Sequence, residues 1–105
     1  MYDVVIIGAG PGGLSAGLYA GRSRLKTLIL EKSSIGGQIG VTDSIENYPG
    51  SLIDEKETGT TLTERMRKQA ERFGCEIKKV GVKDIVLSGN PKIITLEDGE
   101  EIQTK

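Results

Sequence analysis

The chain has 105 residues, 14 Lys plus Arg against 15 Asp plus Glu, no histidine and one cysteine, Cys75. That length suits one domain with a modest core. The charge balance excludes a polybasic footprint for nucleic acid or an anionic membrane. No apolar run approaches the ~18 residues of a membrane span, and no leader pattern precedes the first strand. A lone cysteine without histidine excludes an internal disulfide, a CxxC redox pair and a Cys/His zinc site within this chain. Such cysteine usage is expected of a cytoplasmic protein. Glycine stands out, at 15 residues, about twice the usual ~7%.

In chain order, Val4-Val5-Ile6-Ile7 is a β-branched run without polar alternation, the pattern of a strand buried on both faces of a parallel sheet. Gly8-Ala9-Gly10-Pro11-Gly12-Gly13 follows at once. The spacing of Leu14, Ala16, Leu18 and Ala20 predicts a helix ending near Arg22-Ser23. Gly13, Gly17 and Gly21 fall on one face of it, which points to close packing against the sheet. Thr27-Leu28-Ile29-Leu30 is a second buried strand, ending at Glu31. Strand, helix and strand make a βαβ unit whose right-handed crossover places the strands parallel.

Residues 32–58 lack periodicity, and a loop of that length is expected to serve a ligand. Asp54-Glu55-Lys56-Glu57 reads as a solvated surface turn. A helix follows, with Thr61-Leu62-Thr63-Glu64 as its capping box. Leu62, Met66, Ala70 and Phe73 form its core stripe, Arg65, Lys68, Glu71 and Arg72 its solvent side, and Gly74 its left-handed cap. A weaker strand spans 75–80. Residues 82–87, 92–96 and 101–104 then predict an antiparallel meander with turns at Gly89-Asn90-Pro91 and Asp98-Gly99. The expected fold class is α/β: a Rossmann-like βαβ unit with a parallel sheet, plus a β-meander over 82–105.

The chemistry concentrates in the first half. Gly8-x-Gly10-x-x-Gly13 lies between strand and helix, with an acid at the end of the second strand, the context of a dinucleotide fingerprint. Gly8 permits the tight turn, Gly10 lets backbone approach a pyrophosphate, and Gly13 lets helix pack on strand. The helix start offers unpaired N–H groups and partial positive charge to an anion, and Pro11 fixes φ of its first turn. Glu31, 18 residues past Gly13, is placed to accept ribose hydroxyls, and its charge opposes a 2′-phosphate. FAD and NAD both remain open at this level. Downstream, Gly36-Gly37 allows backbone to approach a ligand, while Gln38 and Asn47 carry amides suited to a flavin edge.

Gly8-Ala-Gly-Pro-Gly-Gly13, Gly36-Gly-Gln38, Glu46-Asn-Tyr-Pro-Gly50 and the helix ending Gln69-Ala-Glu-Arg-Phe-Gly74 occur in one order and spacing. In that combination the chain resembles the low-molecular-weight thioredoxin reductases over its whole length. The resemblance implies an FAD-binding domain, residues 1–105 being its N-terminal portion, in a two-domain homodimeric flavoenzyme. In that family NADPH reduces FAD, the flavin reduces an active-site disulfide, and the dithiol reduces thioredoxin. Gly8, Gly10, Pro11, Gly12 and Gly13 would then line the pyrophosphate, and Glu31 would hold the ribose. Lys32 to Gln38, including Gly36 and Gly37, would wrap the dinucleotide. Asn47 would face the flavin ring, and the backbone of Val82 the adenine. The NAD(P)H domain, the CxxC pair and the flavin-covering segment of that family are not in this chain, which is therefore expected to be inactive alone. Cys75 is expected to pack as a small apolar residue. Two other readings share the motifs: a ferredoxin–NADP reductase or the reductase of a peroxide-reducing system, and a non-enzymatic dinucleotide-binding module.

Overall fold

A computed structural model describes residues 1–51 and 56–105. Among these, the first strand, β1, is Val4–Ile7 and the first helix, α1, is Pro11–Arg22. β2 is Thr27–Glu31, a 3₁₀ turn covers Gly37–Val41, and α2 is Gly59–Arg72. β3 is Glu76–Lys79, and the meander consists of β4 (Val82–Val86), β5 (Lys92–Leu96) and β6 (Glu101–Thr104). β1, β2 and β3 form a parallel sheet in that order, with Val4 opposite Thr27 and Ile29 opposite Ile77. β4, β5 and β6 form a separate antiparallel sheet.

The continuous apolar character of β2 has a layered cause. Ile29 points to the helices, where it packs with Leu14, Ala70 and Cys75. Leu28 and Leu30 point the other way and pack with Ile94, Leu96 and Ile102 of the meander. The parallel sheet is thus sandwiched, and its middle strand needs apolar side chains on both faces. β1 differs from expectation. It lies at the sheet edge, its residues are half-buried, and Ile7 is 54% exposed. A β-branched run thus reports buried pairing partners less faithfully at an edge than at the centre.

The glycine stripe of α1 does permit close packing. A Cβ on Gly17 would lie 2.5 Å from Ile29 Cδ1. One on Gly21 would lie 2.8 Å from the Phe73 carbonyl oxygen and 3.2 Å from Cys75 Sγ. Cys75 is buried and donates its thiol proton to the Gly17 carbonyl at 2.9 Å. It behaves as the expected small apolar filler with one weak donor satisfied.

Three details of α2 depart from expectation. The helix starts earlier: Thr58 is its cap, accepting from the Thr61 amide at 3.0 Å, while the Thr61 hydroxyl accepts from the Thr58 amide at 2.9 Å. Thr61 is therefore the third helical residue of the box, not its first. Gly59 sets this start, because its amide donates to the Thr42 carbonyl and its Cα sits against the Ile39 carbonyl, where a Cβ would be 1.5 Å from the oxygen. At the other end Phe73 is the cap; its carbonyl oxygen and Cβ lie against Gly21, and the residue is 44% exposed rather than in the core stripe. Gly74 has the expected positive φ. Finally, Glu57 is buried and paired with Arg65, so it is no solvated turn residue. Lys56 is exposed as expected, and Asp54 and Glu55 lie outside the described residues.

Candidate functional site

The site starts where β1 gives way to α1. The Gly8 amide continues the sheet by donating to the Leu30 carbonyl at 2.7 Å, and Gly8 then takes φ +108° to turn the chain sharply. The turn folds back onto Gly13 so tightly that a Cβ there would lie 1.8 Å from the Gly8 carbonyl oxygen. Gly10 is the N-cap of α1, with no side chain to bond the first-turn amides, and Pro11 opens the helix. The amides of Gly12 and Gly13 have no carbonyl one turn earlier within the helix. No acidic residue occupies this first turn. The helix end therefore presents uncapped donors and its partial positive charge to the outside of the bend.

Glu31 completes the mouth. Its Oε1 accepts from the Ala9 amide at 2.9 Å and its Oε2 from the Ser33 amide at 3.0 Å. These bonds, that from Ser33 being the stronger influence, hold its pKa below the usual carboxylate range, partly offset by burial. The carboxylate is fixed, ionised and still has lone pairs on both oxygens for hydroxyl donors. Next to it, the Gly36 amide donates to the Ala9 carbonyl at 2.7 Å. Gly37 lies against Gly10, such that a Cβ on Gly37 would be 3.0 Å from Gly10 Cα. The loop after β2 is thus stitched to the glycine turn by backbone alone. It is held from behind by α2: the buried Thr63 hydroxyl fills the space beside Gly36, where a Cβ would meet it at 2.6 Å.

A groove of about 400 Å³ opens here, lined by Glu31, Ser33, Ser34, Gly37, Gln38 and Val41. The structure therefore brings Glu31, Gly37 and Gln38 of the expected set together, with Gly8, Gly10, Gly13 and Gly36 forming the adjoining turn. Lys32 is exposed beside Glu31 and paired with Glu97 at 3.2 Å. Asn47 is exposed and does not line the groove. Val82 begins β4, opposite Leu96, and its side chain packs in the meander core. A larger cavity, about 440 Å³, lies between Tyr48–Gly50 and α2 and shares no lining residue with the groove at Glu31. Size alone would choose it, but the helix start and the fixed carboxylate belong to the smaller groove.

The family pattern described as Pyridine nucleotide-disulphide oxidoreductase matches residues 2–105. The chain belongs to that family. Among its relatives in this family, the thioredoxin reductase of Peptoclostridium acidaminophilum is 44% identical over 100 residues, 95% of this chain and 31% of the relative. That of Aquifex aeolicus is 42% identical over 105 residues, 100% of this chain and 32% of the relative. The crystal structure of Lactococcus lactis thioredoxin reductase superposes with a TM-score of 0.89 at 44% identity, covering 100% of this chain and 33% of that one. The Streptococcus pyogenes thioredoxin reductase gives 0.89 at 39%, with the same coverages. The chain thus spans about a third of the length of the relatives it matches. The mixed architecture, a parallel three-stranded sheet beside an antiparallel one, is the fold of this family's matching part.

Sequence reasoning assigned no site role to four residues. Ser33 serves through its amide, which no side-chain pattern announces. Thr63 and Gly59 brace the loop from α2; a small residue at a helix start and a threonine one turn later are a weak signal taken alone. Glu97, in the turn that follows β5, reaches Lys32, a contact across 65 positions that periodicity cannot show. Among the described residues no group of His, Cys, Asp and Glu is arranged to hold a metal, and no helix is long and apolar enough to cross a membrane.

Proposed function

We propose that residues 1–105 are the FAD-binding portion of a thioredoxin reductase-like disulfide oxidoreductase. The observation that carries this reading is the pairing of an uncapped α1 start with the Glu31 carboxylate fixed across its mouth on the Ala9 amide. That pairing suits a diphosphate on the helix end and an adenosine ribose on the acid. Gly8, Gly10, Gly12 and Gly13 with Pro11 would admit the diphosphate, and Glu31 would accept ribose hydroxyls. Lys32, Gly36, Gly37 and Gln38 would flank the groove. Asn47 and the backbone of Val82 are the outer contacts in this reading, toward the flavin and the adenine.

A bound FAD supplies the capacity to carry an electron pair between a nicotinamide and a disulfide. The residues of this chain bind and orient it: uncapped amides meet the negative bridge, and the ionised carboxylate fixes the sugar. By family likeness the parent protein would take electrons from NADPH, pass them to a disulfide and serve thioredoxin or a similar partner, as a homodimer. Cys75 takes no part, because burial pushes its thiol up and a neutral thiol is a poor nucleophile.

Titration of the purified chain with FAD, followed by flavin fluorescence, and with ADP-ribose, followed by calorimetry, tests the reading. Both ligands are expected to bind at one equivalent, and Glu31→Ala to weaken each by ~1–3 kcal/mol. Absence of binding by either ligand, or a Glu31→Ala variant that binds as wild type does, refutes it.

A further inference from the structure

This inference rests on the nucleotide reading of the groove and concerns how the site distinguishes one class of nucleotide from another. β1, β2 and β3 stand in that order. A nucleotide with its diphosphate at the end of β1 and its ribose on Glu31 would bring its 2′-oxygen toward the residues that follow Glu31, as in other nucleotide-binding βαβ units. The first of these is Lys32, a cation of the kind that receives a 2′-phosphate in other nucleotide sites.

Lys32 is not left available. Its Nζ lies 3.2 Å from Glu97 Oε1. Glu97 follows β5 on the other sheet, and its amide donates to the Gly81 carbonyl at 2.8 Å. Its carboxylate lies directly over Gly81, where a Cβ would sit 2.5 Å from Glu97 Cδ and 2.6 Å from either oxygen. A residue without a side chain thus leaves the space through which an acid from the meander reaches the exit of β2. A second cation near this exit is Lys79, which stands opposite Glu31 in the parallel register.

We propose that Glu97 is a specificity-determining residue: by engaging Lys32 it withholds a cation from any 2′-phosphate and restricts the groove to adenine nucleotides with a free 2′-hydroxyl. Glu31 alone repels the phosphate; Glu97 removes the compensation that its neighbour would otherwise offer. The pair is exposed, the Lys32 side chain at 73% and that of Glu97 at 47%, and is individually weak. Its effect is therefore on choice between ligands, where the difference of one counter-charge is read directly.

The test is calorimetric titration of the full chain, at low ionic strength where exposed charges are least screened, with ADP-ribose and with 2′-phospho-ADP-ribose. Wild type is expected to prefer ADP-ribose. Glu97→Gln is expected to tighten 2′-phospho-ADP-ribose by ~3–10-fold while ADP-ribose stays within ~2-fold. Adding Lys32→Gln to that variant is expected to abolish the gain. An unchanged preference in Glu97→Gln overturns the proposal, and so does a gain that survives Lys32→Gln, which would assign it to Lys79. If wild type binds neither ligand, the nucleotide reading itself fails, an outcome distinct from equal preference in the variants.

Discussion

Replacing Gly13 by alanine tests the geometry on which the site depends. A Cβ at this position would lie 1.8 Å from the Gly8 carbonyl oxygen and 2.9 Å from its carbon. Relief requires the turn and the helix start to separate by roughly an ångström, an overpacking strain of ~1–3 kcal/mol. Gly8 is held by its amide on the Leu30 carbonyl, and Ala9 by its amide on Glu31. Losing one of these adds ~1 kcal/mol or more. The expected total is ~2–4 kcal/mol, which for a domain of this size lowers Tm by on the order of 10 °C or more. Gly12 is the internal control. It is exposed, and a Cβ there meets nothing within 4 Å among the described residues. Gly12→Ala should be neutral or stabilising by up to ~1 kcal/mol through helix propensity. Urea denaturation followed by circular dichroism reads both variants. A Gly13→Ala protein within ~0.5 kcal/mol of wild type, or an equal loss in Gly12→Ala, would refute the assignment of this glycine to steric necessity.

Glu31 makes stability depend on pH in a defined direction. Hydrogen bonds from the Ser33 and Ala9 amides lower its pKa in the folded chain, so its contribution is full above the unfolded value of ~4.3 and is lost as pH falls through the lower folded value. Urea midpoints should decline below about pH 4.5, and Glu31→Gln should make that decline shallower; identical slopes would contradict the assignment. Glu57 is buried against the half-exposed Arg65, so Arg65→Met, which strands the carboxylate, should cost more than Glu57→Gln, by ~1–2 kcal/mol, as read by thermal melts. Gly59→Ala drives a Cβ to 1.5 Å from the Ile39 carbonyl oxygen; it should loosen the loop over 36–41, seen as faster amide exchange there, while the exchange of β5 stays unchanged. Cys75 is buried, its thiol raised by desolvation, so Ellman's reagent should label it slowly in the native chain and rapidly in urea.

What could be read from the sequence, and what could not, follows from how far each signal travels along the chain. The glycine turn was fully legible because its cause is local: a strand, a bend and a helix start within ten residues, with the acid at the next strand end, one βαβ unit away. The meander was legible for the same reason, and its strands match the expected ranges to within a residue. Errors arose where a residue's role is set by something distant. The capping residue of α2 moved to Thr58 because the Ile39 carbonyl and the Thr42 carbonyl, far back in the loop, fix where the helix begins. Glu57 looked solvated among its charged neighbours, yet the Ile45 amide bonds its carbonyl and Arg65 its carboxylate, which draws it inward. β1 read as doubly buried because edge and centre strands share a composition when one residue in each pair faces a core.

The same distinction explains why the site is split between obvious and hidden parts. In the proposed function a diphosphate would be met by backbone, and backbone geometry leaves a sequence mark only through the glycines that make it possible. The residues that would then choose among nucleotides would act by charge, and charge comes from wherever the fold places it. Glu31 is at the end of the strand that the pattern identifies, so its place beside the glycine turn could be read from the sequence. Glu97 arrives from a different sheet, over a glycine that looks like any turn residue. A carboxylate in the meander of a related chain should therefore affect nucleotide choice only where position 81 lacks a side chain. Gly81→Val, which would press on the Glu97 carboxylate, should mimic Glu97→Gln in binding 2′-phospho-ADP-ribose more tightly. If it leaves the preference of wild type intact, the route from the meander to Lys32 does not run over Gly81.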